Sequence, residues 1–236
     1  MALSKITTES LLDGEITLPK LSSGTDGNII SYDASGNPVA IATGNDGQVL
    51  TSTGAGSPPA FETPAGGGLI LIGRTTASSS SEITVTGITS TYDIYLMILS
   101  DIIFSASANT RLRFGDSGGL DSGSSDYKYT SWYNAGGTGH HTSTGDNSMR
   151  IDSALNIGNG GTNSSLSGSY YFTTGNSGSY PKLWGSAVLY KEDGGMGETS
   201  IAGSRIATIT VDRIGLVPSS GTITSGSLTV YGCVKS

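Results

Sequence analysis

The sequence predicts an all-β protein: an N-terminal extended, trimerising repeat segment followed by an antiparallel jelly-roll-like β-sandwich. Three observations carry this expectation. Glycine supplies 36 of 236 residues and stands among abundant Ser, Thr and Asn, the composition of a chain with many turns. Val, Ile, Tyr and Thr form short runs between those turns, and these residues suit a pleated, half-buried surface. No sustained 3.6-residue apolar period marks a helix beyond the first residues. The length accommodates one ordinary domain with an extension or two small domains, and the composition favours the first.

Charged residues make up 13% of the chain, against roughly 25% in an ordinary soluble domain. Surface polarity therefore rests on hydroxyls and amides, which salt screens less than ion pairs. A net charge of -7 and an isoelectric point near 4.6 oppose a phosphate-tracking surface, so nucleic acid is not an expected partner. The single cysteine, Cys233, lies in the apolar run 228–234 and reads as a small buried hydrophobe, since one thiol cannot close an intramolecular disulfide. Residues 1–8 contain one Lys and no apolar h-region, unlike a secretory signal. The most apolar stretch, 92–104, is interrupted by Asp93, Ser100 and Asp101 and is too short to cross a bilayer. A soluble protein made without secretion or membrane insertion is expected.

Four segments follow along the chain. In residues 1–22, Leu3, Ile6, Leu11, Leu12, Ile16, Leu18 and Leu21 are spaced among Ser, Thr, Glu and Lys. Thr7 or Thr8 caps at most one helical turn through Leu12, with Gly14 ending it and Pro19 preventing a restart. So brief an element cannot bury its own leucines, which makes these seven residues the candidate docking surface for a larger particle. In residues 23–63 the run Gly24-Thr25-Asp26-Gly27-Asn28-Ile29-Ile30-Ser31 returns as Gly44-Asn45-Asp46-Gly47-Gln48-Val49-Leu50-Thr51. Gly36-Asn37-Pro38-Val39-Ala40 likewise returns as Gly56-Ser57-Pro58-Pro59-Ala60, a period of about 20 residues. Each unit reads as an Asp-Gly turn, a short apolar strand, a Gly turn and a second short strand. Two such units hold too little apolar surface to fold as a monomer, whereas three copies about one axis would cover it. Residues 64–68, Pro64-Ala65-Gly66-Gly67-Gly68, form a flexible joint.

Residues 69–236 read as the β-sandwich domain. Strands are expected over 69–73, 83–88, 92–99, 110–114, 127–133, 169–173, 183–190, 206–211 and 228–234. In Arg111-Leu112-Arg113-Phe114 the alternation sets the arginines on one face and the apolar pair on the other, as in a half-buried antiparallel strand.

Candidate sites are few. The two histidines, His140 and His141, are adjacent; on a strand they would point to opposite faces, which disfavours a shared metal and leaves a polar loop tip as the simpler assignment. Asp116, Asp121 and Asp126 recur in a Gly/Ser loop without the spacing of an EF-hand or a Gly-Gly-x-Gly-x-Asp repeat, and read as solvated. Glu192 and Asp193 are neighbours in a turn, which does not set two carboxylates on either side of a glycoside. The Gly-rich runs do not open a helix after a strand, as a phosphate loop does. No enzymatic constellation, metal site or cofactor is therefore expected. The aromatic cluster Tyr127, Tyr129, Trp132 and Tyr133 is more suggestive. It either fills the core from one face or contacts a sugar or protein, and Trp132, Tyr133, His140 and His141 are the candidate surface-binding residues.

The stretch from Ile6 to Leu21, Ile-Thr-Thr-Glu-Ser-Leu-Leu-Asp-Gly-Glu-Ile-Thr-Leu-Pro-Lys-Leu, and the run from Gly44 to Phe61 resemble the N-terminal segments of bacteriophage tail-fibre proteins, especially those of marine and cyanobacterial phages. Tyr92-Asp93-Ile94-Tyr95, Arg111-Leu112-Arg113-Phe114 followed by Gly118-Gly119, and the ending from Ser219 to Gly232 resemble the terminal β-domains of the same class. The resemblance implies a virion protein: a homotrimer whose N-terminus binds another virion protein at the tail adaptor, portal region or capsid, and whose β-domain points outward toward a host surface glycan or protein. The chain departs from the commoner pattern in having no long central shaft. That keeps a capsid decoration protein, of cement or head-fibre type, beside the short tail fibre or adhesin.

Overall fold

The computed structural model describes residues 24–64, 68–152, 155, 164–175, 178–191 and 195–234. The expected docking residues Leu3, Ile6, Leu11, Leu12, Ile16, Leu18 and Leu21 lie outside the described residues, as do Ala65, Gly66 and Gly67 of the joint and Glu192 with Asp193. The chain divides between Ala65 and Gly66 into two compact units, and the described residues of both are all-β.

In the first unit each sequence repeat is an antiparallel hairpin. Strands β1 (Ile29–Tyr32) and β2 (Pro38–Ile41) pair with Ile29 opposite Ile41; β3 (Val49–Thr51) and β4 (Ala60–Glu62) pair with Leu50 opposite Phe61. The preceding Asp-Gly turns are equivalent: the Asn28 N–H donates to the Thr25 carbonyl at 3.2 Å, and the Gln48 N–H to the Asn45 carbonyl at 3.1 Å. Gly27 and Gly47 occupy the left-handed region at φ of 77° and 82°, where a side chain would be strained. The loop of the first hairpin is organised by the Asp33 carboxylate, which accepts from the Asn37 N–H at 2.9 Å and the Ser35 N–H at 2.8 Å. These bonds, that from Asn37 first, hold Asp33 below its ordinary pKa. Ile30, Tyr32, Val49 and Leu50 stay exposed, because hairpins this short have no second layer to close on.

The second unit contains β5 (Leu69–Thr76), β6 (Ile83–Thr86), β7 (Ile94–Phe104), β8 (Thr110–Asp116), β9 (Gly119–Leu120), β10 (Tyr127–Asn134), β11 (Thr138–Asp146), β12 (Met149–Arg150), β13 (Leu166–Thr173), β14 (Lys182–Tyr190), β15 (Met196–Arg205), β16 (Arg213–Pro218) and β17 (Ile223–Cys233). They build two antiparallel sheets. The large one runs β11-β10-β15-β14-β13-β7-β17-β5, and the small one β12-β8-β16-β6 with β9 against β8. Four pairings are nested: β5 with β17, β6 with β16, β7 with β13, and β8 with β12. The chain thus runs as one long antiparallel ribbon folded across two layers. The hairpins β10–β11 and β14–β15 are additions that widen the large sheet beyond β13.

The two sheets enclose the core between them. Tyr95, Met97 and Leu99 of β7 point inward by strict alternation, as do Leu112 and Phe114 of β8. Phe172 of the large sheet stacks on Tyr95 at 5.0 Å and meets Phe114 of the small sheet at 5.7 Å. The Tyr127 hydroxyl accepts from the Phe114 N–H at 2.9 Å, and the Thr199 hydroxyl donates to the Ile151 carbonyl at 2.8 Å. Where β12 crosses β15, Gly203 leaves room for Met149: a Cβ there would lie 2.7 Å from its sulfur.

Three expectations are corrected. Residues 206–211 are not a strand but the connection from β15 to β16; Val211 and Ile209 pack against the core without joining a ladder. The polar stretch holding His140 and His141 is no loop tip but edge strand β11. Asp121 and Asp126 are not freely solvated: both are partly buried on Arg205, at 2.8 and 3.4 Å. That clamp fastens the β9–β10 connection to the end of β15. Strands β15 and β16 had no counterpart in the sequence expectation.

Candidate functional site

Strands β10, β11 and β15 bring the surface-binding candidates to the outer face of the large sheet. Register places Trp132 between His140 of β11 and Ser200 of β15. Side chains alternate across a strand, so Trp132 and His140 face outward together while Ser131 and His141 face the other way. Trp132 is 57% exposed, and its ring lies 5.2 Å from His140 at 39°. His141 instead stacks on Tyr129 at 5.5 Å, with its Nδ1 buried and without a hydrogen-bond partner among the described residues. Tyr133 leans over Gly139 of the neighbouring strand, where a Cβ would lie 2.4 Å from its ring. Of the four candidates the fold therefore joins Trp132 with His140 and sets Tyr133 and His141 on the opposite side.

Beside Trp132 lies a shallow cleft of about 260 Å³, lined also by Tyr133, Asn134, Thr138, Glu198 and Ser200. Glu198 pairs with Asn134 across β15 and β10, which sets a carboxylate and an amide next to the indole. The cleft offers an apolar aromatic plane with hydroxyl, amide and carboxylate groups at its rim. Such a site suits a ligand with one apolar face and several hydrogen-bonding groups, as in a saccharide ring or a polar peptide. On the inward side of β10, burial first and then the Asp146 charge push the Tyr129 phenol up to about 12.

Glu198 and Ser200 were not legible as site residues, because β15 was not recognised as a strand. The signal was present: Glu198, Ser200 and Ala202 alternate with the inward Thr199 and Ile201. Asp116, the last residue of β8, accepts from the Gly118 N–H at 2.8 Å, a contact of the turn to β9. No group of three or more His, Cys, Asp or Glu residues able to hold a metal ion occurs among the described residues. The chain matches no family model, no curated protein and no solved structure.

Proposed function

We propose that the chain is a structural protein of a bacteriophage virion, a short homotrimeric tail fibre or adhesin that works by assembling and binding rather than by catalysis. In this reading residues 1–22 dock on another virion protein, residues 23–63 form a short β-repeat shaft, and the second unit is a jelly-roll β-sandwich that meets the host surface. Support for the jelly roll comes from the four nested pairings divided between two layers. Support for the trimer comes from the two hairpins, whose exposed Ile30, Tyr32, Val49 and Leu50 need cover from other chains. The observation that carries the binding role is the exposed Trp132, held against His140 above the cleft with Glu198, Asn134 and Ser200.

One feature favours the second assignment, a decoration protein on the capsid: only two hairpins separate the docking segment from the domain, which gives little reach. Particles labelled with gold-conjugated antibody against the second unit and imaged by negative stain separate the two. Label at the tail tip is expected, label spread over the head would select decoration, and unlabelled particles would remove the virion assignment. In the same particles Trp132→Ala is expected to lower adsorption to host cells about tenfold while the protein stays folded, as measured by residual free phage; unchanged adsorption would move host contact away from the cleft.

A further inference from the structure

The outer face of the large sheet is divided. Toward β11 it is mixed, with Lys128, Thr130, Thr142, Glu198 and Ser200 around the isolated apolar Trp132, Val188 and Met196. Toward β5 it is not. One register row crosses five neighbouring strands as Leu71, Tyr231, Leu96, Tyr171 and Trp184, each directly opposite the next. Tyr171 stacks on Trp184 at 6.0 Å, and Leu71 and Trp184 are 58% and 38% exposed. Ile94 and Leu69, both opposite Cys233, extend the patch on one side, and Ile98, opposite Thr229, extends it on the other. The row itself carries no charge. None of these side chains belongs to the core, which is already closed between the two sheets. An antiparallel sheet with one solvated face ordinarily alternates apolar-in with polar-out, and β7 with Ile94, Leu96 and Ile98 outward breaks that rule.

We infer that this apolar half-face is the surface through which copies of the chain pack on one another. The inference rests on the homotrimeric assignment above and supplies the interface within the second unit. Five strands spaced about 4.8 Å apart, over the roughly five residues of about 3.4 Å each that these three rows span, cover roughly 400 Å² in projection. A stable interface takes about 800 Å² of accessible surface from each partner, and a corrugated sheet exposes more than its projection. The patch thus has the size of the apolar centre of such an interface, with the neighbouring polar rows as its rim. The absence of charge from the central row suits a like surface, which would otherwise repel itself, in a chain of net charge -7, while Arg74, opposite Thr229, and Lys182 stand at the rim. Strand β5, at the edge of the patch, also follows the repeat unit after only a few residues, and that unit has uncovered apolar residues of its own. Copies held together by one unit raise the effective concentration of the other.

The chain has two tryptophans, so Trp132→Phe leaves Trp184 as the single reporter on the patch. Sedimentation velocity of this full-length variant at micromolar concentration is expected to give a trimer, with blue-shifted Trp184 emission protected from acrylamide. Adding Tyr171→Glu, at a position exposed in the single chain, is expected to give smaller species with Trp184 freely quenched and the β-sheet circular dichroism retained. A trimer whose Trp184 is freely quenched overturns the interface and leaves the trimer standing; this readout does not depend on the Glu variant folding. A folded monomer overturns both.

Discussion

Tyr170 is wholly enclosed, and its hydroxyl meets no hydrogen-bond partner among the described residues. Burial, reinforced by the Asp152 charge, keeps that phenol protonated far above its ordinary range. A buried polar group left unmet costs about 1–3 kcal/mol. Tyr170→Phe keeps the ring and removes the hydroxyl, so it is expected to raise unfolding free energy by about 1 kcal/mol in urea titration. A loss of stability would mean that the hydroxyl is engaged. Tyr127 differs in that its hydroxyl is satisfied at the Phe114 backbone, yet burial and then the Asp121 charge also raise its pKa. For Tyr129 the folded-state value of about 12 lies above the ordinary 10.0, so the folded chain holds its proton more tightly than the unfolded one. The resulting stabilisation is complete below pH 10 and declines as the pH rises from there through about 12. Alkaline unfolding is therefore expected to begin above pH 10, with tyrosinate absorbance and loss of β circular dichroism rising together. Tyrosines that all ionise near pH 10 while the circular dichroism holds would contradict this placement of the rings.

At the scale of elements, strands were legible where their inward residues are large. The alternation in Arg111-Leu112-Arg113-Phe114, and the inward Tyr127 and Tyr129 of β10, expose a period of two because those side chains fill the space between sheets. Strand β15 turns Gly197, Thr199 and Gly203 inward with Ile201 as the one large apolar residue among them, so its ladder leaves little apolar trace. Strand β11 is an edge rich in Thr, Ser, Gly and His, and composition alone made it a loop. The opposite error at 206–211 has the same origin: apolar residues report burial, and Val211 is buried in a connection. Half of the candidate site was visible for this reason. Trp132 and His140 stood out as residue types, but their pairing and the contribution of Glu198 depend on register, which local composition does not encode. The hairpins were readable because glycines mark both their loops, at Gly36 and Gly56, and the turns that precede them, at Gly27 and Gly47. The boundary between Ala65 and Gly66 has a consequence at this scale, since the core lies wholly within the second unit. Limited proteolysis is expected to cut near Gly66–Gly68 and release a fragment with native circular dichroism and a cooperative melt. If the chain from Leu69 onward is unfolded when made alone, the two units are not independent.

At the scale of the molecule, the proposed virion role divides the labour between a segment that attaches and a domain that faces outward. Leu11 and Leu12 carry the sharpest test, because they sit in the stretch where apolar residues are too few to form a core. Each aliphatic side chain buried in a partner contributes roughly 1.5–3 kcal/mol before ordering costs are subtracted. In a trimer the contact is made three times over, and the linked sites bind far more tightly than one alone if the particle offers matching geometry. Two aspartates at these positions would have to be desolvated at each contact, which turns the same multiplicity against attachment. The second unit holds its own core, so its fold should not register the change. Leu11→Asp with Leu12→Asp is therefore expected to leave the protein soluble and its melting temperature unchanged, while its copy number on purified particles, measured by quantitative immunoblot against the major capsid protein, falls at least tenfold. Wild-type copy number on the particles would place the attachment in the second unit, and the Trp132 cleft would then become a candidate contact with the virion instead of the host.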